Sequence, residues 1–86
     1  MLYLIESHLN SDALLALQQQ VQTDDDIVCL NDGVYCLAVL NANAHNIHAL
    51  TAHALLRGVE IAEEVNSIDM MDLVALSVKH PTSVTR

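Results

Sequence analysis

The stretch IVCLNDGVYC, residues 27–36, holds both cysteines of the chain around an Asn31-Asp32-Gly33 turn signal. A thiol in the first turn of a helix feels the positive end of the helix dipole, which favours thiolate. Cys36 stands three residues past Gly33, in a helix expected to begin just after that glycine. It is the candidate nucleophile of the chain and would suit a persulfide carrier. Cys29 falls inside an apolar run and reads as core. The two are seven residues apart with no CxxC, which supports neither a dithiol redox pair nor a zinc knuckle.

Other residues capable of chemistry group less well. His45, His48 and His53 are spaced by three and five positions across an expected loop–strand–helix boundary, so they would not share a face. No HExxH or carboxylate-rich loop accompanies them, and no metal or cofactor is expected. The acidic triplet Asp24–Asp26 lacks the alternating ligands and distant Glu of a calcium loop and reads as a solvated turn. No Ser/His/Asp set or paired catalytic carboxylates can be assembled.

Two short segments remain. NDGV, residues 31–34, lies at the carboxyl end of an expected strand, where ligands sit in open α/β sheets. It also reads as a plain strand-to-helix turn, with Asn31 or Asp32 capping and Gly33 in a backbone conformation other residues avoid. VKHP, residues 78–81, places Lys79 and His80 before Pro81, the only proline. A basic pair in a last helical turn is favoured by the helix dipole. The dipole does not explain why a chain with three Lys and Arg residues against eleven acids keeps a base here.

The elements that must position these residues follow from periodicity. Leu2–Ile5 is a short continuous apolar run, the pattern of a strand buried on both faces. Leu14, Leu17 and Val21 recur at three- and four-residue steps and predict a helix from Ser11 to Gln22. Ile27–Leu30 is a second strand and Ile47–Leu50 a third. HALLRG predicts one or two helical turns ended by Gly58. A fourth strand falls between Val59 and Ile68. Asp69 caps a last helix, Met70 to His80, which Pro81 ends. Strands alternating with helices imply right-handed crossovers. The expected fold is α/β: a small three-layer α/β/α sandwich on a mostly parallel four-stranded sheet, residues 1–86 forming one domain.

Composition narrows the function. Hydrophobic residues are 52% of 86, with no Trp or Phe. So apolar a small chain is expected to have part of its surface covered by another subunit, or by its own copies when isolated. The formal charge of −8 repels phosphate backbones and anionic lipid, so direct nucleic-acid or membrane binding is not expected. The few cysteines and the short apolar N-terminal run, interrupted at Glu6, suggest a cytoplasmic protein.

The segments DDDIVCLNDGV and DMMDLVALSVKHPTSV together resemble the DsrH/TusB family of bacterial sulfur-relay subunits. The opening MLYLIES and the length also fit. The resemblance implies assembly with DsrE/TusD-type and DsrF/TusC-type subunits into an α/β heterohexamer that receives and passes on persulfide sulfur. One branch of such complexes serves 2-thiolation of the tRNA wobble uridine, another sulfur oxidation. The transferring cysteine generally belongs to the DsrE/TusD-type chain, leaving this type a mainly structural role. Some members carry a cysteine after the first strand, where ESHLNSDALL has none. The matched positions are Asp32, Gly33, Lys79, His80 and Pro81. The basic pair is expected at a subunit interface or beside a neighbour's anionic persulfide. The alternatives are a sulfur carrier using Cys36 and a stand-alone homo-oligomeric interaction module.

Overall fold

The computed structural model describes all 86 residues, Met1–Arg86. The elements run β1 (Leu2–Ile5), α1 (Ser11–Gln20), β2 (Asp26–Cys29), a 3-10 helix (Asn31–Cys36), β3 (Asn46–Leu50), α2 (Thr51–Leu56), β4 (Asn66–Ile68), α3 (Met70–Lys79) and β5 (Ser83–Thr85). All strands are parallel in the order β4-β3-β2-β1-β5. The α/β/α sandwich is as expected, with one strand more.

That order determines the layers. From β1 to β4 the chain steps steadily across the sheet. Right-handed crossovers therefore put α1, the 3-10 helix and α2 on one face. At β4 the direction reverses, and α3 crosses the other face to deliver β5 beside β1. The side chains agree. Ile5, Ile27, Cys29, Ile47 and Ala49 pack with Leu14, Leu17, Val34 and Ala54 on the first face. Leu2, Val28, Leu30, Leu50 and Ile68 pack with Leu73 and Leu76 of α3 on the second. Alternate residues of one strand thus feed two cores, which is why the strands read as unbroken apolar runs.

The fifth strand corrects the four-stranded expectation. Ser83–Thr85 is polar, and only Val84 is half-buried. An edge strand needs little apolar character, so the apolar-run signature was absent. Its backbone gives it away instead. Leu2 N–H donates to Thr82 O at 3.0 Å, Arg86 N–H to Leu4 O at 2.8 Å, and Glu6 N–H to Arg86 O at 2.9 Å.

Helix ends follow local chemistry. Asn10 caps α1 by accepting from Ala13 N–H at 2.8 Å. Asp69 and Asp72 form a reciprocal capping box at α3, with bonds of 2.9 and 3.1 Å. Gly58 follows α2 with φ +66°, as its C′ role requires. The element expected just after Gly33 is a 3-10 helix that begins at Asn31, so the glycine lies inside it. Asn31, not Gly33, adopts the left-handed backbone, at φ +51°. Gly33 is needed for another reason: a Cβ there would stand 1.8 Å from the Ile5 carbonyl oxygen. No helix is long and apolar enough to cross a membrane.

Candidate functional site

Asp26 opens β2 with its side chain on the α3 face, two residues before Val28, which points the same way. The acidic triplet was expected in solvent, but Asp25 and Asp26 are buried. A buried carboxylate needs partners. Asp26 has three: His48 Nε2 from β3 at 2.8 Å, His80 Nε2 from the end of α3 at 2.7 Å, and Lys79 Nζ at 3.3 Å. Burial pushes the Asp26 carboxyl up. The hydrogen bonds from His48, His80 and Lys79 outweigh it and hold the pKa at about 2. An ionised carboxylate only accepts, so each imidazole presents its Nε2–H. Next door, Asp25 is held low chiefly by the Met1 amino group, which donates at 2.7 Å, and also by Gln22 N–H at 2.8 Å.

This accounts for the basic pair. His80 is 8% exposed, and its partner lies inside the chain. Only Lys79, with 62% of its side chain exposed, is within reach of a neighbour. The knot fastens the last turn of α3 to β2 and β3 at the amino ends of the strands. A hollow of about 420 Å³ beside it is walled by His48, Asn66, Asp72, Leu76 and Lys79, but not by Asp26. His48 Nδ1 is buried without a partner.

Asp32 and Gly33 lie at the opposite, carboxyl end, so the two matched segments do not form one site. There Arg57 Nε donates to Asp32 Oδ1 at 3.0 Å, and Asn31 Nδ2 to Glu6 Oε1 at 3.3 Å. Asn31 N–H donates to His53 Nδ1 at 2.8 Å. His48 and His53 therefore serve opposite ends of the sheet. Pro81 is exposed in the bend between α3 and β5.

Both thiols are interior. Burial, with Cys36 nearby, pushes the Cys29 thiol up to about 12. Burial also pushes Cys36 up. Its Sγ donates to Ser7 O at 3.6 Å. Cys36 is the last residue of the six-residue 3-10 helix, not the first turn of an α-helix, so the dipole argument for a thiolate loses its geometry.

The feature that residue-by-residue reasoning missed is the outer side of α3. At about 100° per residue, Leu73 and Leu76 face the sheet and Met71, Val74 and Val78 face away. Met71 is 78% exposed and Val78 80%, with Met70 and Val74 also exposed. No α3 residue is fully buried. The charged residues of the helix, Asp72 and Lys79, line the hollow on its flank. A helix apolar on two sides is ordinarily buried on both. The signal was the sequence MMDLVALSVK itself, with more apolar positions than one sheet face can use.

These features define a small parallel α/β domain, covered by helices on both faces of the sheet, with buried thiols and an α3 that is apolar and bare on its outer side. A scan against protein families matches residues 6–83 to the model described as DsrH like protein, and the chain belongs to that DsrH-like family. A search of curated proteins gave no match.

Proposed function

We propose that the chain is a mainly structural subunit of a sulfur-relay complex that passes persulfide sulfur, toward 2-thiolation of the tRNA wobble uridine. Its neighbours are DsrE/TusD-type and DsrF/TusC-type chains. The observation that carries this reading is the bare face of α3, Met71, Val74 and Val78, on a chain of DsrH-like family. Such a face costs free energy in water and is offset by burial against a partner at roughly 25 cal/mol per Å².

The interior thiols support a structural role. A sulfur carrier needs an accessible thiolate, whereas burial raises both cysteines here. The charge of −8 supports keeping tRNA on other subunits. Within the assembly, the Asp26 knot holds α3 rigid, which preserves the shape of the docking face.

Co-expression with DsrE- and DsrF-type chains from the same genome, followed by loading from a persulfide donor and intact-mass analysis, tests the reading. The expected result is a sulfur adduct on a sister chain and none on this one. A stoichiometric adduct on Cys36 would overturn the structural role in favour of a carrier.

A further inference from the structure

On the face of the sheet opposite α3, a groove of about 580 Å³ lies between the 3-10 helix with its following turn and the loop joining α2 to β4. Tyr35 and Leu37 form one wall. Val59, Ile61 and Ala62 form the other, and Glu60 is the one charged residue lining it. The loop reads VEIAEEV over residues 59–65, so its apolar wall positions are interleaved with Glu60, Glu63 and Glu64. All three glutamates are exposed.

No base in the chain answers these carboxylates. None of the five ion pairs includes them. Arg57 is tied to Asp32, and Lys79 serves Asp26 on the other face. Arg86 follows β5, at the sheet edge furthest from β4. An apolar slot with a rim of one sign is complementary to an apolar segment carrying the other sign.

We propose that this groove is a docking slot for a short apolar segment flanked by Lys or Arg, supplied by a different protein chain. A second copy does not fit. The only short stretch of this chain bounded by bases, Lys79 to Arg86, is committed to β5 and the knot. One short segment cannot fill this groove and cover α3 as well, because the sheet separates the two surfaces. The inference deepens the assembly reading by adding a second docking face.

The test is a titration of the isotope-labelled full chain, followed by amide NMR shifts. The probe is a synthetic peptide of Leu-Val-Leu between paired lysines, with a twin carrying glutamates in place of the lysines. The lysine peptide is expected to shift Ala38, Ile61 and Ala62, leave α3 unmoved, and weaken with added salt. The triple variant Glu60→Lys, Glu63→Lys, Glu64→Lys is expected to lose at least about tenfold in affinity and to prefer the glutamate twin. Its spectral dispersion reports whether it remains folded, and all three positions are exposed. Equal binding of both peptides, shifts confined to α3, or no shifts at all would overturn the proposal. Failure of α3-dependent assembly with intact peptide binding would overturn the assembly reading alone.

Discussion

Replacing Asp26 by Asn keeps the shape of the side chain and removes its charge. In the native protein that charge is stabilised by one buried and one half-buried imidazole donor and one ammonium, which lower the carboxyl from its ordinary 3.8 to about 2. The shift corresponds to about 2 kcal/mol of stability. Because the folded value lies below the unfolded one, the contribution is complete above pH 4–5 and is lost as pH falls through the folded value. About half remains near pH 3, and little near pH 2. Asp26→Asn is therefore expected to lower stability by about 2 kcal/mol at pH 7, a fall in Tm of roughly 8–16 °C for a domain this small. Urea unfolding followed by far-ultraviolet circular dichroism at pH 7 and pH 3 measures it. The difference between variant and native protein should shrink by about half between the two. Equal stability at pH 7, or a difference that does not change with pH, would refute the knot as the fastening of α3.

Two further outcomes follow from packing. Gly33→Ala sets a methyl group 1.8 Å from the Ile5 carbonyl oxygen, a backbone atom that cannot step aside. It is expected to cost more than about 3 kcal/mol, read as loss of the folded circular dichroism spectrum or a sharply lowered urea midpoint. Cys29 and Cys36 are both buried with raised pKa values, so neither should react with a thiol reagent in the native protein near neutral pH. Both should react at once in urea, and fast native labelling of Cys36 would contradict its placement.

Much of the fold was legible because its strands are short apolar runs. Leu2–Ile5 and Ile27–Leu30 are buried on both faces, and that requires helices on both sides. The Asp69 cap and the Gly58 stop were readable for the same local reason: each satisfies backbone groups within a few residues. β5 was not readable, because an edge strand gains its place from two neighbouring backbones and needs no apolar signature. Asp26 was misread for a related reason. A carboxylate beside two others looks solvated until residues 22 and 54 positions away close over it. The clue was the scarcity of bases: a chain with three of them places one beside His80, and both needed a carboxylate. At Gly33 the right residue was named with the wrong cause. A close approach to Ile5, invisible along the chain, requires the glycine, while Asn31 makes the left-handed turn. The bare side of α3 was signalled by MMDLVALSVK, which has more apolar positions than one sheet face can use, but which of them stay bare followed only from the packing.

The bare face of α3 is the point on which the account rests, and native mass spectrometry of the chain co-expressed with DsrE- and DsrF-type partners tests it most directly. The native chain should be found in a stable hetero-oligomer, and Val74→Glu with Val78→Glu should leave it unassembled while its own unfolding midpoint changes little, since both side chains already face water. A double variant that assembles as well as the native chain would contradict the account.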